Sequence, residues 1–392
     1  MPEAVIVDVV RTPSGRGKPG GALSAVHPVD LAAGVLGALL ERSGLESRQV
    51  DDVLMGCVSQ VGDQSLNIAR QAVLAAGFDE TVPAVTIDRQ CGSSQQAAHF
   101  AAQGVIAGAY DIVIAAGVES MSRVPLGSSA HGGSVSRGVA HRYPDRLVNQ
   151  GVSAELIADK WGFSREELDA FSAESHRRAA DAWARGAFDA QVLPVLAADS
   201  DAVAFDETVR AGTTLESLAG LKPAFRTDAL AERFPHLDWR ITAGNSSPLT
   251  DAASAALIMS EEKAAELGLT PRARFHSFAV VGDDPMMMLT GPIPATRRIL
   301  ERSGLSIDDL DAYEVNEAFA SVPLAWQREL GADPAKLNPW GGAIALGHAV
   351  GASGTRLLGT LVTYLEATGG RYGLQTMCEG GGMANATIIE RL

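Results

Sequence analysis

Glu41-Arg42-Ser43-Gly44-Leu45 recurs as Glu301-Arg302-Ser303-Gly304-Leu305, at an offset of 260 residues (301 − 41). Each copy follows an apolar helical pattern and precedes an acidic linker and a predicted strand, so the flanks agree as well as the five letters. We therefore expect two related halves, in which the same offset carries Cys91 to position 351, within the Gly-rich run 341–351. If the halves pack about a pseudo-two-fold axis, the turns of Cys91 and His348 can face each other.

Strands and helices alternate along the chain. Predicted strands lie over 4–10, 53–58, 84–87 and 111–117, and predicted helices over 30–43 and 67–77. Alternation with helices of this length is typical of a largely parallel sheet that is covered on both faces. The sequence therefore predicts an α/β fold of two duplicated βαβαβ-type halves with parallel-rich sheets.

The segment between the halves has a different character. Residues 122–150 are rich in Gly, Ser, His and Arg and show little periodicity, which is typical of a lid or binding loop. Ser164 and Glu167 then form a capping-box pattern that predicts a helix to about residue 185. We expect an N-terminal half over 1–120, an inserted loop or lid region over 121–245 that returns into that half, and a C-terminal half over 246–392.

The overall composition narrows the class of protein. The formal net charge of −15 argues against a nucleic-acid binder, but it does not exclude an anionic ligand held by a local cluster of Arg and Lys. Three scattered Cys fit neither a disulfide framework nor a zinc site. No apolar run approaches the ~18 residues of a membrane span, the first residues resemble a strand and not a signal peptide, and the last three differ from the peroxisomal signal Ser-Lys-Leu. We expect a cytoplasmic protein without membrane insertion.

Cys91 lies where the predicted strand 84–87 turns into a helix of small residues. At such a turn the unpaired backbone N–H groups and the helix dipole favour negative charge, so we expect a lowered thiol pKa and donors for an oxyanion. A lone Cys is more often a small buried apolar residue, which is our interpretation of Cys57. The polar run 93–96 in the same turn favours a functional role for Cys91.

The second half contributes three further candidates. His348 lies in a Gly-rich turn and is a candidate base for the Cys91 thiol, although a lone loop histidine is more often a surface or structural residue. Cys378 precedes Glu379-Gly380-Gly381-Gly382, where the glycines indicate either backbone held open for a ligand or an irregular hairpin. Asn316 ends a predicted strand, where it either caps a helix or holds a water molecule over the site.

Four blocks of the sequence stand in a fixed order: Cys91-Gly-Ser with Gln96-Ala97, Asn316-Glu-Ala-Phe, Gly341-Gly-Ala-Ile-Ala-Leu-Gly-His348 and Cys378-Glu-Gly-Gly-Gly. In this order and spacing they resemble the thiolase family of acetyl-CoA C-acyltransferases. Further signatures of that family are similar to Asn245-Ser246-Ser247 with Asp251, and to Gly291-Pro292-Ile293-Pro294. The resemblance begins at Arg11-Thr12-Pro13 and covers nearly the whole chain.

The resemblance implies a role for each candidate. Cys91 would be the nucleophile that carries the acyl group as a thioester, and His348 would take its proton and stabilise the thiolate. Cys378 would be the acid/base that moves a proton at the α-carbon of acetyl-CoA or on the thiol of incoming CoA. Asn316, through a water molecule, and His348 would hold the thioester oxygen of the acetyl-CoA unit. The backbone N–H groups of Cys91 and Gly380 would hold the acyl oxyanion.

The resemblance also implies how substrate is bound. Coenzyme A would be a co-substrate, with no tightly bound cofactor and no metal, and the protein would be a homodimer or homotetramer. Four residues stand where the family contacts the pantetheine arm: Ser247, Met288, Ala318 and Phe319. The inserted region would supply the lid and the nucleotide end through Arg137, Arg142 and Arg146, although arginines in such a segment are also typical of a solvated loop.

The chemistry of these residue types fits the implied reaction. Breaking a carbon–carbon bond beside a ketone needs a soft nucleophile that is also an acyl carrier, and a thiolate is both. The expected reaction is therefore CoA-dependent cleavage of a 3-ketoacyl-CoA to acetyl-CoA and a shortened acyl-CoA, in fatty-acid or sterol side-chain degradation. Alternatives are biosynthetic condensation of two acetyl-CoA units and acyl-CoA binding without turnover. A decarboxylating condensing enzyme is disfavoured by Cys378, where that group usually has His or Asn.

Several positions depart from the usual pattern of the family. Ser94 stands where Gly is common, Ala349 where Pro often follows the histidine, and Glu379 where the residue is often small or apolar. Glu379 could raise the pKa of Cys378 by like-charge proximity. The pair Gln95-Gln96 is similar to members that degrade sterol-derived or other bulky acyl groups, and the run 286–288 of Met either lines an adaptable acyl pocket or is ordinary packing.

Overall fold

A computed structural model of the chain describes residues 2–134, 136–144, 147–196 and 201–392. Ten strands form within these described residues: β1 (Ala4–Arg11), β2 (Gly15–Arg16), β3 (Asp52–Gly56), β4 (Ala84–Ile87), β5 (Ile112–Ser120), β6 (Thr250–Ser260), β7 (Ala273–Gly282), β8 (Ala312–Val315), β9 (Tyr372–Glu379) and β10 (Met383–Arg391). Among the described residues the α-helices are α1 (Pro28–Ser43), α2 (Ile68–Ala75), α3 (Ser93–Ile106), α4 (Arg137–Arg142), α5 (Gln150–Lys160), α6 (Arg165–Ala184), α7 (Leu215–Ala219), α8 (Asp228–Arg233), α9 (Glu261–Glu266), α10 (Pro292–Ser303), α11 (Ser321–Leu330), α12 (Ala343–Leu346) and α13 (Ser353–Thr368). In the described part of the chain, no helix is long and apolar enough to cross a membrane.

The strands form one continuous sheet in the order β4-β3-β5-β6-β1-β7-β10-β9-β8, with β2 beside β6. Pairing is parallel in β4–β3–β5 and in β8–β9, where helices connect the strands, and antiparallel elsewhere. The predicted α/β fold is confirmed, but the parallel-rich pairing is limited to these strands. β10 follows β9 after a short turn, and a short turn can join strands only in antiparallel.

The offset of 260 residues is preserved in the positions of whole elements. It relates the ends of α1 and α10, the starts of α3 and α13, and the starts of β5 and β9: Ser43 and Ser303, Ser93 and Ser353, and Ile112 and Tyr372. In the quoted repeat, Gly44 and Gly304 cap their helices in the left-handed region, at φ of 69° and 72°. Glycine is favoured there because it has no Cβ to clash. The repeat is therefore a helix C-terminus, and the predicted duplication is confirmed.

The two halves meet along β1 and β7 and along two central helices. β1 and β7 pair over only two positions. The helices α3 and α13 are buried along most of their length, and their N-terminal turns approach so closely that a Cβ on Gly354 would lie 2.1 Å from the backbone nitrogen of Gln95. Because Cys91 and His348 immediately precede these turns, the contact brings the two candidate residues to one place.

The inserted region leaves and rejoins the first half. It contains α4 to α8, and the predicted capping box at the start of α6 is present, because Ser164 and Glu167 each accept a hydrogen bond from the other's backbone N–H. After it, β6 pairs with β5 and β1 of the first half. The predicted domain boundary at residue 246 differs from this pairing, which keeps β6 with the first half.

Candidate active site

A cavity of about 770 Å³ lies beside the turns that precede α3 and α13. Its wall comes from both halves and from the inserted region, and it includes Val58, Met121, His348, Val350 and Gly380. All four residues predicted to contact pantetheine also line it: Ser247, Met288, Ala318 and Phe319. The predicted binding and base residues are therefore gathered around one cavity large enough for a drug-sized ligand.

Cys91 lies behind the wall of this cavity. It is 3 % exposed and packs in one apolar cluster with Val58, Met121 and Val350, all of which line the cavity. Gln90, just before it, has a φ of +49°, so the backbone at this turn is held in a region that costs energy for residues other than glycine. Such strain is common where a reactive side chain must be aimed.

The expected lowering of the Cys91 pKa is wrong for the free protein. Burial, and then the nearby carboxyl of Glu379, raise the pKa of the thiol to about 12. The backbone N–H groups of Cys91 and Gly380 act in the opposite direction, but desolvation outweighs them. The sulfur is thus a thiol that needs a base, and the two N–H groups that approach it are placed to stabilise negative charge.

His348 lies between α12 and α13, with its backbone N–H donating to Thr250 Oγ1 at 2.9 Å. Its ring nitrogens have different partners: Nδ1 is 2.6 Å from Ser353 Oγ, and Nε2 is 3.4 Å from Asn316 Nδ2. Burial, and then the guanidinium of Arg356, lower the pKa of His348 to about 3. The imidazole is therefore neutral at physiological pH, which is the form that accepts a proton.

Cys378 is fully buried near the end of β9. Burial, and then the proximity of Cys91, raise the pKa of its thiol well above the usual value, so the two sulfurs lie close enough to affect each other. Glu379 contributes less to this shift than Cys91 does. Cys378 thus provides a second buried thiol beside that of Cys91. This thiol keeps its proton until a stronger base forms nearby.

Asn316 follows β8 and is not a helix cap, since α11 begins only at Ser321. Its Oδ1 is buried and has no hydrogen-bond partner among the described residues. Because a buried amide oxygen without a partner is costly, the alternative of a water-holding role is favoured over capping. The glycines after Cys378 form the β9–β10 hairpin, as one interpretation of this segment predicted. Gly380 also lines the cavity, and contact of its backbone with a ligand stays a prediction.

The inserted region supplies residues that the sequence did not indicate. Phe225 lines the cavity with its ring centroid 5.7 Å from that of Phe319. Nothing in the irregular segment around Phe225 distinguishes it from a surface aromatic residue. Arg137 and Arg142 lie on the exposed helix α4, outside the residues that line the cavity, and Arg146 lies outside the described residues.

The structure changes the interpretation of two runs, the Gln pair at 95–96 and the Met run at 286–288. Gln95 and Gln96 are buried within α3 and do not line the cavity; Gln95 donates to Thr387 Oγ1 at 2.7 Å. Of the Met run, only Met288 lines the cavity. Neither the Gln pair nor the first two methionines therefore contacts a ligand in this cavity directly.

Comparisons with known proteins agree with this arrangement. Residues 4–262 match the family model described as thiolase, N-terminal domain, and residues 269–391 match thiolase, C-terminal domain. The chain is 48 % identical over 401 residues to the steroid 3-ketoacyl-CoA thiolase FadA6 of Mycobacterium tuberculosis, covering 100 % of this chain and 95 % of that protein. It is 44 % identical to a 3-ketoacyl-CoA thiolase of Klebsiella pneumoniae, with both chains covered completely. The crystal structure of the Bacillus anthracis acetyl-CoA acetyltransferase superposes with a TM-score of 0.89 at 40 % identity, covering 100 % of this chain and 99 % of the other.

Proposed function

Because the chain belongs to the thiolase family, we propose that it cleaves a 3-ketoacyl-CoA with CoA, giving acetyl-CoA and a shortened acyl-CoA. The observation that carries the proposal is that two buried thiols lie close together next to a cavity that a neutral imidazole lines. Cys91 and Cys378 come from different halves of the fold, and His348 lines the cavity together with Val350, which packs in the cluster of Cys91. Coenzyme A acts here as a co-substrate.

In the first half-reaction, Nε2 of His348 accepts the proton of Cys91, and the thiolate attacks the ketone carbon of the substrate. The resulting oxyanion is held by the backbone N–H groups of Cys91 and Gly380. Collapse of the oxyanion breaks the carbon–carbon bond, and the electron pair leaves as the enolate of acetyl-CoA. Cys378 donates its proton to the enolate carbon, so that acetyl-CoA departs and Cys91 stays acylated.

In the second half-reaction, the Cys378 thiolate accepts the proton of incoming CoA. The CoA thiolate attacks the acyl-Cys91 carbonyl through the same oxyanion site, and Cys91 leaves as a thiolate that regains its proton from His348. The raised pKa of Cys378 suits both steps, because a thiol that holds its proton tightly is, once ionised, a strong base. Asn316 would hold the thioester oxygen through a water molecule.

Two observations bear on the acyl group and the direction. The name of the M. tuberculosis relative refers to steroid 3-ketoacyl-CoA, and a cavity of about 770 Å³ has room for a bulky acyl chain beside pantetheine. We therefore propose degradation of a fatty or sterol-derived acyl-CoA. Biosynthetic condensation of two acetyl-CoA units is a second candidate, which the similarity to the acetyl-CoA acetyltransferase of B. anthracis supports.

We also propose that the protein is a homodimer or homotetramer in the cytoplasm. The strand β4 ends the sheet and leaves Val85 42 % exposed, and an unprotected edge strand is a common place for a second subunit to pair. Size-exclusion chromatography with light scattering measures the oligomeric state directly.

The proposed function is tested by mass spectrometry of the protein after exposure to a panel of 3-ketoacyl-CoAs of increasing chain length. We expect an acyl adduct on Cys91 that disappears when CoA is added, with faster acylation by long or sterol-derived chains than by acetoacetyl-CoA. A strong preference for acetoacetyl-CoA would favour the biosynthetic direction. No adduct with any member of the panel would indicate a binding protein without turnover.

A further inference from the structure

A second, much smaller cavity lies behind His348. It has about 10 Å³ of space for the centre of a water molecule, and its wall includes Arg11, Thr12, Gly347, Ser353 and Arg356. A polar cavity of this size holds roughly one water molecule. It is therefore a place for solvent within the protein, separate from the large cavity that receives substrate.

The guanidinium of Arg356 lines this cavity without a protein partner. Arg356 is 4 % exposed, and none of its three side-chain nitrogens has a hydrogen-bond partner among the described residues. A buried guanidinium left in this state costs several kcal/mol, so its N–H groups require an acceptor in the cavity. A water molecule that accepts from Arg356 supplies one.

Ser353 separates this cavity from the imidazole of His348. Its Oγ donates to the carbonyl of Ala349, four residues earlier, at 2.8 Å. The same Oγ lies 2.6 Å from His348 Nδ1. A hydroxyl has a single proton, so Oγ must be the acceptor of the bond to Nδ1. The proton of the neutral imidazole is therefore on Nδ1, and the lone pair is on Nε2.

The hydroxyl of Ser353 has one lone pair left after these two bonds. A water molecule that lies between it and Arg356 would accept from the guanidinium and donate to Oγ, so both groups would be satisfied at once. The line of contacts then runs from Arg356 through water and Ser353 to Nδ1 of His348, and Nε2 lies at the end of it.

We propose that Ser353 and Arg356 are positioning residues for the thiolase reaction, joined by one water molecule in the small cavity, and that together they hold His348 with its proton on Nδ1 and Nε2 free to take the proton of Cys91. The proposal rests on the proposed function, in which Cys91 is the nucleophile. Neither Ser353 nor Arg356 touches the reacting atoms in this arrangement, so both act through the imidazole.

The charges around Arg356 are consistent with this role. Glu314 on β8 and Glu317 after it approach from one side, and Arg11 on β1, which forms an ion pair with Asp206 at 2.7 Å, approaches from another. None of these charged groups is within ion-pair distance of Arg356 among the described residues. Burial, and then the positive charge of this guanidinium, lower the pKa of the His348 imidazole, so the ring is neutral.

The substitution S353A tests the proposal, and S172A is its matched control. Ser172 is equally buried and its Oγ makes the same kind of helix-internal bond, to the carbonyl of Leu168 at 2.8 Å, but it lies on α6 away from His348. The readout is the rate at which iodoacetamide alkylates Cys91 between pH 6 and 9. We expect S353A to slow alkylation by roughly ten- to a hundredfold, as is usual for partners that orient a functional histidine, and S172A to leave the rate unchanged.

The tautomer of His348 gives a readout that does not depend on activity. In protein labelled with ¹⁵N-histidine, and with H348N used to assign the signal, we expect Nδ1 of the wild type to be protonated and Nε2 not. In R356Q, loss of the guanidinium that holds the water molecule is expected to slow alkylation of Cys91, as S353A does. Protonation on Nε2 in the wild type, or a wild-type alkylation rate in S353A or in R356Q, would each overturn the proposal.

These measurements use no acyl-CoA. A failure of 3-ketoacyl-CoA to acylate Cys91 would therefore contradict the proposed function while leaving the positioning of His348 intact. Conversely, normal thiolysis with an Nε2-protonated imidazole would keep the function and remove the positioning role of Ser353.

Discussion

Glu119 on β5 accepts a hydrogen bond from the backbone N–H of Gly351 at 3.0 Å, and so joins the first half of the fold to the turn that holds His348. The same carboxylate accepts from Val58 and Ser59, at 2.9 and 3.0 Å. Gly351 is the equivalent of Cys91 at the 260-residue offset (351 − 91), so Glu119 joins the turn of His348 to the half that contains Cys91. The carboxylate of Glu119 thus helps to fix the position of the His348 turn relative to the first half of the fold.

We expect E119Q to destabilise the protein and to slow acylation of Cys91. An amide NH₂ in place of one oxygen would point a donor at backbone donors, and leaving one such buried group unsatisfied costs about 1–3 kcal/mol. The measurements are thermal unfolding and the single-turnover acylation rate. The control E80Q changes an exposed carboxylate in a turn and should alter neither quantity. A wild-type melting temperature and rate in E119Q would show that Glu119 does not hold the turn.

Glu379 is the counterpart of Glu119 at the same offset (379 − 119), but its carboxyl oxygens have no hydrogen-bond partner among the described residues. Burial raises the pKa of Glu379 to about 8. The folded protein therefore binds a proton more tightly than the unfolded chain, whose carboxyl has a pKa near 4.5. This contribution to stability is full below about pH 4.5 and is lost as the pH rises towards about 8.

The substitution E379Q keeps the shape of the protonated side chain but cannot ionise. We therefore expect it to remove the loss of stability that ionisation of Glu379 causes as the pH rises. Relative to the wild type, E379Q should become more stable as the pH is raised from 5 to 8, with its free energy of unfolding larger by up to a few kcal/mol. Above pH 8 the Cys91 thiol should also react faster with iodoacetamide, because the nearby negative charge is gone. Urea unfolding at several pH values measures the first effect. A stability difference between E379Q and wild type that does not change with pH would contradict the assignment.

The contrast between these two glutamates shows what sequence analysis could and could not reach. The repeat at Glu41 and Glu301 locates equivalent elements to the residue, because a helix C-cap needs glycine at a fixed place. It could not reveal the bonds of Glu119, since they depend on which backbone N–H groups turn inward. It also misjudged the pKa of Cys91, because the donors at a helix N-terminus are visible in sequence and the depth of burial is not.

The mixed sheet and the wall of the cavity were beyond the sequence for a related reason. Alternation of strands and helices predicts connections, but β6 returns after the inserted region and pairs antiparallel with β5, which no local pattern specifies. Phe225 reaches the cavity because the inserted region folds back over it, and its neighbours in sequence show no periodicity. Sequence analysis therefore found the site residues that local motifs place. It did not find those that reach the site because a distant segment of the chain folds back over it.

The contact between α3 and α13 predicts the effect of G354A. A methyl group there would lie 2.1 Å from the backbone nitrogen of Gln95, so the helices must separate. We expect a loss of about 1–3 kcal/mol in stability, as for overpacked cores, together with reduced activity because the turns of Cys91 and His348 move apart. The control is G34A in the exposed face of α1, where a methyl group meets nothing within 4 Å and alanine should stabilise by about 0.5–1 kcal/mol. Equal melting temperatures for the two variants would contradict the close approach.

Substitution of Cys91 and of Cys378 should have different effects, because the two thiols have different proposed roles. We expect C91A to abolish acylation, and C378A to reduce turnover at least a hundredfold while Cys91 still reacts with iodoacetamide, because only the proton donor and acceptor has been lost. C57A is the matched control, since Cys57 is equally buried but belongs to the main apolar core. Turnover with each variant and mass-spectrometric mapping of the alkylated residue provide the test. Loss of activity in C57A, or near-normal turnover in C378A, would require another assignment of the acid/base.

Phe225 and Phe319 form an aromatic pair in the cavity wall, from the inserted region and from the turn after β8, and truncation of Phe225 should affect substrate binding without affecting Cys91, which packs in another cluster. We expect F225A to raise the KM for acyl-CoA by about tenfold, because truncating a half-buried ring that covers an apolar ligand loses roughly 1–2 kcal/mol of contact. The rate of Cys91 alkylation by iodoacetamide should stay at the wild-type value, since the ring lies away from the sulfur's cluster. The matched control is F205A, which also breaks an aromatic pair, with Trp183 at 5.0 Å, but at a position outside the residues that line the cavity. An unchanged KM in F225A would mean that the inserted region does not contact the bound substrate, whereas a change in kcat alone would indicate that the ring acts on the transition state and not on binding.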